Sequence, residues 1–279
     1  MNGLLEQNGL IVVADVAPLL AQAGFVTFDD FMNFSGGTLI CRKRGRSVVS
    51  FEIGDRTFYL KRNSFHRGEF WKTLSRFRWP PRSARQEWLS ILAVRDAGIP
   101  TVPPVAMGEQ LVCGVEKASF TLTEALYDAE PLDQIIRQKF SGEISLPLRQ
   151  EKLALIQRVA EITRRLHSSG MYHQDLYLGH FLLGREDKLY LIDLQRVVCG
   201  EKVPRRYRVK DLGQLAYSAM DTGCLSRSDH MRFFLTYLNC THLGTTEKVL
   251  LRSVLAKSRR IARHTIKLLA RRRRRGEIS

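Results

Sequence analysis

The sequence predicts an α+β protein in which a small antiparallel β part is followed by a larger, mainly helical part. Two observations carry this prediction. Short runs rich in alternating and β-branched residues fill the segment 38–123, with a single helical pattern inserted among them. After Pro131, apolar residues recur at helical spacing. Segregation of strands from helices along a chain is typical of the α+β class.

The first part contains about five predicted strands and one helix. The first three strands, joined by the basic loop RKRGR and by the Gly54-Asp55 turn, are residues 38–41, 47–53 and 56–61. A helix is predicted to begin at Ser83, which forms a capping box with Gln86, and to end at Gly98. The remaining strands are residues 99–107 and 120–123.

In the second part, a long helix is predicted over residues 151–167, with Gly170 as its stop signal. Two short apolar runs, 181–183 and 189–192, then flank the turn GREDK, and helices resume near Lys210. The chain is therefore divided into an N-terminal extension, a small lobe and a large lobe with a basic C-terminal helix, at residues 1–36, 37–126 and 127–279.

Charge and composition limit the classes of function. The formal net charge of +16 predicts attraction to a polyanion such as a nucleic acid, an anionic lipid or a phosphorylated glycan. The five cysteines are scattered and form no C-x-x-C pair, so neither a disulfide framework nor a zinc knuckle is indicated. The apolar segment 9–26 is interrupted by Asp15 and Pro18, unlike a signal peptide or a membrane-spanning helix. We therefore expect a cytoplasmic protein, attached at most to a membrane surface.

Two acidic residues follow the long helix at a spacing that suits phosphoryl transfer. Asp175 lies in the run HQDL, which with His180 five positions later fits the H-R-D-L-x-x-x-N pattern of protein kinases at His, Asp and Leu. Asp193 ends the apolar run LYLID. Transfer of a phosphoryl group from ATP needs one carboxylate to accept the proton of the substrate hydroxyl and another to hold Mg²⁺. Asp175 is thus the predicted catalytic residue and Asp193 the predicted metal ligand.

A lysine and a glutamate in the first part are predicted to form an ion pair. Lys61 ends the third strand, and Glu87 lies at the margin of the apolar face of the inserted helix. A charge at such a margin requires a partner. A strand lysine paired with a helix glutamate positions the α- and β-phosphates in kinases. Glu124 and Leu126, at the junction of the two parts, are also assigned to the nucleotide.

Four segments resemble the motifs of the lipopolysaccharide core kinase family, which includes WaaP-type heptose kinases and Kdo kinases. They are HQDLYLGHFLL, LYLIDLQRV, PRRYRVKDLGQLAYSA and QEWLSILAVRDAGIPT, and the resemblance covers roughly residues 37–238. It implies a two-lobed protein-kinase-like fold with ATP and Mg²⁺ as cofactors. The implied reaction transfers the γ-phosphate to a sugar hydroxyl, on heptose or Kdo, of a lipid-linked glycan acceptor. The resemblance also implies that this reaction takes place at the inner face of the cytoplasmic membrane.

The resemblance also assigns roles to individual residues. It carries over the roles given above for Lys61, Glu87, Asp175 and Asp193. His180 stands where protein kinases have Asn and is shared with the H-F-L-L motif of the family, so it is assigned to the metal site. Asp211, in the run KDL, resembles the buried aspartate that braces the catalytic loop and is expected to be structural.

Two departures from the protein-kinase pattern leave an alternative open. Asp193 is followed by Leu-Gln instead of Phe-Gly, so regulation by a flipping activation segment is not implied. The loop RKRGR does not match G-x-G-x-x-G, and we hypothesise that backbone amides and the basic side chains of residues 42–46 share the phosphate contacts. The alternative is a pseudokinase-like binding module, recruited to an anionic membrane or glycan.

The C-terminal segment, residues 252–275, contains eleven Lys or Arg and no acid, with Val254, Ile261 and Leu268 at seven-residue spacing. Two interpretations stay open: a helix that lies on anionic lipid, and a solvated tail helix packed on the large lobe. RNA binding is disfavoured because the segment has no recognised RNA-binding motif and no interleaved aromatic residues.

A different chemistry is also compatible with the acidic and histidine residues of the second part. His173, Asp175, His180 and Asp193 could ligate the metals of a hydrolase. That interpretation leaves Lys61 without a role and finds no further His-rich segment in the chain. It is therefore disfavoured.

Overall fold

The computed structural model describes residues 3–7, 9–43, 45–64, 84–112 and 115–275. The chain divides into two compact units. The first comprises Met1–Asp96 and Thr101–Tyr127, and the second comprises Ala97–Pro100 and Asp128–Ser279. The main division falls between Tyr127 and Asp128, within one residue of the predicted boundary between the small and large lobes.

The first unit is built on a seven-stranded antiparallel sheet in the order β1-β2-β6-β7-β5-β4-β3. Its strands are β1 (Leu4–Gln7), β2 (Leu10–Val13), β3 (Thr38–Lys43), β4 (Arg46–Ile53), β5 (Arg56–Ser64), β6 (Pro104–Val112) and β7 (Val115–Glu124). The five predicted strands are all present, and two more precede them. The strand predicted at 99–107 begins instead at Pro104, and Ala97–Pro100 belongs to the second unit.

The N-terminal residues are part of the sheet and its core, so the prediction of a separate extension over residues 1–36 was wrong. β2 pairs with β6, and two short helices follow it, α1 (Ala17–Gln22) and α2 (Phe28–Asn33). Phe31 of α2 is fully buried and stacks on Phe120 of β7 with ring centroids 4.2 Å apart. In the sequence, the Asn8-Gly9 dipeptide between these two strands is a local hairpin signal.

The inserted helix of the first unit, α3 (Ala84–Asp96), buries Trp88, Ile91 and Val94 on one face. Its predicted first residue, Ser83, lies outside the described residues. The helix ends just before Gly98, which has a φ of 69°, in the left-handed region that glycine adopts more easily than other residues. The helical prediction is confirmed over the described residues.

The second unit is mainly helical. Its helices are α4 (Leu132–Lys139), α5 (Leu146–Ser168), α6 (Arg205–Asp221), α7 (Arg227–Leu238) and α8 (Thr245–Arg274). Its short strands are β8 (Glu130–Pro131), β9 (Met171–Tyr172), β10 (Phe181–Leu183), β11 (Leu189–Leu191) and β12 (Val198–Cys199). α5 starts five residues before the prediction, at a segment with Pro147 in its first turn, where proline is tolerated.

One core cluster of the second unit joins four helices. Ala160 of α5, Leu212 of α6, Phe234 of α7 and Val254 of α8 are buried together. This cluster fixes α6 against its neighbours, and α6 carries side chains that reach the loop described below. Among the described residues, no helix is both long and apolar enough to cross a lipid bilayer.

Candidate active site

The loop that contains Asp175 joins β9 to β10 and is held by a buried carboxylate. Asp211 of α6 is fully buried, and its two oxygens accept hydrogen bonds from the amides of His173 (2.7 Å) and Gln174 (2.8 Å). Gln174 adopts a left-handed φ of 65°, which costs energy for a residue with a side chain. Asp211 therefore fixes the backbone immediately before Asp175, and its predicted bracing role is confirmed.

Two side chains contact the Asp175 carboxylate. The Gln214 amide, one turn along α6 from Asp211, donates to Asp175 Oδ1 at 3.4 Å and to the Gln174 carbonyl at 3.1 Å. An Arg196 nitrogen lies 3.6 Å from Asp175 Oδ2. The side chain is 28% exposed, so solvent reaches it.

Sequence reasoning did not assign a role to Gln214 or Arg196. Gln214 follows Asp211 by three residues in the run KDLGQ, and residues three apart share a helix face. That spacing was the available signal for Gln214. Arg196 follows Asp193 by three residues in a short 3₁₀ turn, Leu194–Arg196, whose presence the sequence did not indicate.

Asp193 is placed by the β10–β11 hairpin. Phe181 pairs with Leu191, and the Ile192 amide donates to the His180 carbonyl at 2.9 Å, so the chain reaches Asp193 beside His180. Asp193 itself has a left-handed φ of 56°, and its side chain is 41% exposed. The hairpin therefore presents the carboxylate of Asp193 on the same side of the second unit as His180.

The two histidines near Asp193 have different roles. His173 is fully buried, and its Nε2 lies 3.0 Å from the Ile192 carbonyl, so that nitrogen carries the proton. Burial lowers the pKa of His173, which favours the neutral ring. His180 Nδ1 lies 2.7 Å from the Asp175 carbonyl and His180 Nε2 lies 3.9 Å from Asp193 Oδ2. His180 thus bridges the loop of Asp175 and the carboxylate of Asp193.

In the first unit, the predicted ion pair is present. Lys61 Nζ of β5 lies 2.8 and 2.7 Å from the two oxygens of Glu87 on α3, and both side chains are 11% exposed. A pair this shielded has shed most of its water and has a fixed geometry. The structure thus groups Lys61 with Glu87 in one unit and Asp175, His180 and Asp193 in the other. The assignment of these residues to a nucleotide and a metal stays a prediction.

Glu124 and Leu126 lie at the end of the first unit. The Glu124 carboxylate accepts two hydrogen bonds from Arg56, at 2.8 and 2.6 Å, which also raise the pKa of that guanidinium. Since its side chain is paired, a contact of Glu124 with a nucleotide would be made by main-chain atoms. Leu126 is half-buried in the turn that follows β7. Their predicted contacts with a nucleotide stay predictions.

The basic hairpin between β3 and β4 presents its side chains to both faces of the sheet. Lys43 pairs with Arg46 and Arg46 with Asn63, which places all three on the face that carries Lys61. Arg42 pairs with Ser47, which Arg62 contacts at 3.2 Å on the opposite face. Among the described residues of the loop, the hypothesis that residues 42–46 share phosphate contacts is therefore narrowed to Lys43 and Arg46, and Arg44 lies outside the described residues.

This register predicts an asymmetric effect of alanine substitutions in the hairpin. We expect Lys43→Ala and Arg46→Ala to raise the KM for ATP severalfold, because each removes a cation from the face of Lys61. Arg42→Ala is the matched control and should leave that KM unchanged. The measurement is steady-state kinetics at varied ATP, and an equal effect of all three substitutions would contradict the register argument.

The alternative of a metal hydrolase finds no support in the described part of the chain. There, no group of three or more His, Cys, Asp and Glu side chains is arranged to hold a metal ion. His173 in particular is buried with Nε2 directed at a carbonyl. The pair that does face one another is His180 and Asp193.

Comparison with known proteins gives one consistent family. The model of the Lipopolysaccharide kinase (Kdo/WaaP) family matches residues 38–237. Lipopolysaccharide core heptose(I) kinase WaaP of Escherichia coli (strain K12) is 34% identical over 233 residues, which cover 79% of this chain and 85% of that protein. The protein of the same name from Pseudomonas aeruginosa is 35% identical over 207 residues, covering 69% of this chain and 74% of its own length.

A Kdo kinase and a solved WaaP structure are also similar to this chain. The 3-deoxy-D-manno-octulosonic acid kinase of Vibrio parahaemolyticus is 24% identical over 118 residues, covering 42% of this chain and 45% of that protein. The solved structure of WaaP in complex with acyl carrier protein matches with a TM-score of 0.68 at 29% identity, over 85% of this chain and 91% of that one. The predicted α+β, protein-kinase-like fold is thereby confirmed. This chain belongs to the Lipopolysaccharide kinase (Kdo/WaaP) family.

Proposed function

We propose that this enzyme, a kinase of lipopolysaccharide core sugars, transfers the γ-phosphate of ATP to a hydroxyl of a core heptose. The observation that carries the choice of heptose is the identity of 34–35% with two heptose(I) kinases over more than two thirds of the chain. The Kdo kinase matches at 24% over less than half of the chain. A heptose hydroxyl is therefore favoured over a Kdo hydroxyl as the acceptor.

Asp175 is the proposed general base. Its carboxylate is held by Gln214 and lies 3.6 Å from Arg196, while Asp211 fixes the backbone before it. Such a carboxylate can accept the proton of a sugar hydroxyl as the oxygen attacks phosphorus. The exposed fraction of the side chain leaves room for a hydroxyl to approach. The proton then resides on an Asp175 oxygen until solvent removes it.

Asp193 and His180 fit a divalent cation. His180 Nδ1 lies 2.7 Å from a carbonyl oxygen and donates to it, so Nε2 is the ring nitrogen directed at the Asp193 carboxylate, 3.9 Å away. With Nε2 deprotonated, this nitrogen and the carboxylate oxygen could both coordinate a cation between them. Mg²⁺, when bound, would neutralise charge on the phosphates of ATP, and Asp193 supplies the carboxylate oxygen that Mg²⁺ prefers.

Lys61 is the proposed phosphate contact of the first unit. Its ammonium is held by both oxygens of Glu87, so it has a defined position before any ligand binds. A preorganised cation stabilises the charge on phosphate oxygens without reorganising during the reaction. We assign Lys61 to the α- and β-phosphates and Glu87 to the positioning of Lys61.

The test of this function is a transfer assay with two acceptors. The purified enzyme is incubated with ATP and Mg²⁺ and with lipopolysaccharide core that lacks phosphate on its sugars, or with a truncated core that ends at Kdo. We expect mass spectrometry to find one added phosphate on heptose in the first acceptor and none in the second. Phosphate on Kdo would refute the choice of heptose. Binding of ATP without transfer to either acceptor would favour the pseudokinase-like alternative.

A second proposed partner is acyl carrier protein, because the similar solved structure contains WaaP in complex with it. The second unit has an apolar cavity of about 80 Å³. Its lining includes Leu155 and Val159 of α5, Ala216 of α6, Phe233 of α7 and Leu251 of α8. An apolar cavity of this kind is a suitable place for an acyl group, and we assign it that ligand.

Filling the cavity should weaken this interaction. Ala216→Phe places a larger apolar side chain in the cavity, so we expect affinity for acylated carrier protein to fall at least tenfold. Ala256→Phe, at an exposed position of α8, is the matched control and should bind as the parent does. The measurement is calorimetric titration with acylated and unacylated carrier protein. If Ala216→Phe bound both forms as the parent does, the cavity would not be the acyl site.

A further inference from the structure

The C-terminal helix α8 consists of a packed half and an exposed half. In the first half Leu250, Val254 and Ser258 are buried, and Leu250 and Val254 join the core cluster with Leu212 of α6. The contact is close enough that a Cβ built on Gly213 of α6 would lie 2.6 Å from Lys257 Cγ. The interpretation of a helix packed on the large lobe therefore applies to the first half of α8 only, and the second half extends beyond this packing.

The apolar stripe of α8 continues past the end of this packing. Val254 is 3% exposed, Ile261 at the next seven-residue step is half-buried, and Leu268 is 40% exposed. Beside Leu268, Ile266 is 67% exposed and Leu269 is 42% exposed. Three large aliphatic side chains thus reach solvent within four residues. An exposed apolar group of this kind on a helix marks an interaction surface.

The same half of α8 is strongly cationic. We define the tail segment as residues 259–275, which span about 25 Å at 1.5 Å per helical residue. It contains nine Lys or Arg, and between Glu247 and Glu277 the sequence has no acid. At 100° per residue, Arg260, Arg263 and Lys267 lie on the side of the helix opposite Leu269. The tail segment is therefore an amphipathic helix with a cationic face.

Charge complementarity selects the occupant of this surface. A second copy of the chain would bring nine cations against nine cations, which opposes self-association. A nucleic acid would use the cations but not the exposed aliphatic side chains. An anionic lipid surface satisfies both, because phosphate headgroups pair with the cations while aliphatic side chains enter the acyl boundary. The match to the family model ends at residue 237, before α8 begins.

We propose that the tail segment of α8 binds anionic lipid bilayers, with Ile266, Leu268 and Leu269 inserted at the acyl boundary. This surface lies on the second unit, at residues that take no part in the proposed phosphoryl transfer. Because the acceptor of the proposed reaction is anchored to lipid, this contact would hold the kinase at the membrane surface where the acceptor lies. The inference about binding is independent of the transfer reaction and can be tested without it.

The experiment measures co-sedimentation of the full chain with vesicles. Vesicles of phosphatidylcholine with phosphatidylglycerol are compared with vesicles of phosphatidylcholine alone. The apolar variant is Ile266→Ser, Leu268→Ser, Leu269→Ser, and its control carries serine at three aliphatic positions exposed elsewhere, Leu111, Val112 and Leu146. The charge variant replaces Arg271–Arg274 by Gln, and its control carries Gln at four exposed basic positions, Arg149, Lys202, Arg227 and Lys248.

We expect the parent to bind the anionic vesicles and not the neutral ones. Both tail variants should lose at least tenfold in affinity, whereas both controls should bind like the parent. Transfer to a delipidated, soluble acceptor should be the same in parent and tail variants, which separates this proposal from the proposed reaction. Retained vesicle binding by the apolar variant would overturn the proposal. A second result would also overturn it: the charge variant loses affinity for both vesicles and single-stranded RNA, while the apolar variant binds like the parent. That result would identify a site for any polyanion.

A second measurement reports insertion directly. Ile266→Trp places a fluorophore at the most exposed of the three aliphatic positions. Its emission, taken as the difference from the parent, should shift to shorter wavelength with anionic vesicles and not with neutral ones. An unchanged difference spectrum on anionic vesicles would contradict insertion.

Discussion

Replacing Asp175 by Asn is expected to lower kcat by about 10²- to 10⁴-fold, the usual contribution of a positioned general base. The substitution keeps the shape of the side chain but removes its ability to accept a proton. The KM for ATP should stay within about twofold, because in the proposed mechanism Asp175 acts on the acceptor hydroxyl. The measurement is steady-state transfer to the heptose-bearing core at saturating ATP.

The control for this variant is Asp221→Asn, the same substitution at an exposed carboxylate paired with Arg137. It should leave both kcat and the thermal midpoint unchanged. A second control is the folding of Asp175→Asn itself, which should melt like the parent. If this variant turned over normally, Asp175 would not be the base.

Replacing Asp211 by Ala is expected to destabilise the second unit by about 2–6 kcal/mol. The amides of His173 and Gln174 would both lose their acceptor, and each buried donor left unsatisfied costs about 1–3 kcal/mol. Because Gln174 holds a left-handed backbone conformation, the loop before Asp175 should relax as well. The midpoint temperature of thermal unfolding and kcat should therefore both decrease.

The comparison with Asp211→Asn makes this prediction specific. Asn retains one acceptor oxygen and turns an amide group toward the other N–H, so its stability should lie between those of Ala and the parent. Asp221→Ala should not change stability, because that side chain is 57% exposed. If Asp211→Ala had the stability and kcat of the parent, Asp211 would not be the residue that holds the loop in place.

The sequence was sufficient where a signal is local. The strands of the first unit from β3 to β5 follow from alternation and from the Gly54-Asp55 turn, and α3 follows from its apolar periodicity. The run LYLID predicts a strand that ends in a carboxylate, and β11 leads to Asp193 as expected. These signals lie within a few residues of the features that they specify, so no tertiary information is needed to read them.

The sequence failed where one segment depends on a distant one. β2 is a strand because β6, more than ninety residues later, supplies its hydrogen-bonding partner, and α2 is fixed by the stacking of Phe31 on Phe120. Arg196 reaches Asp175 only through the turn that follows Asp193. None of these contacts has a spacing rule along the chain. Tertiary packing therefore decided that β2, α1 and α2 belong to the sheet and core of the first unit and are not a separate extension.

The sequence by itself determined the class of fold, the family resemblance and the chemical types of the candidate residues: an amine, two carboxylates and a histidine in a fixed order along the chain. Only the tertiary structure decided that Lys61 is paired with both oxygens of Glu87, that Asp211 holds two amides of the loop, and that α8 leaves its apolar stripe uncovered at one end. The physical reason is that residue types and periodicity are written along the chain. Burial and pairing depend on which distant segments come into contact, and tertiary packing determines those contacts.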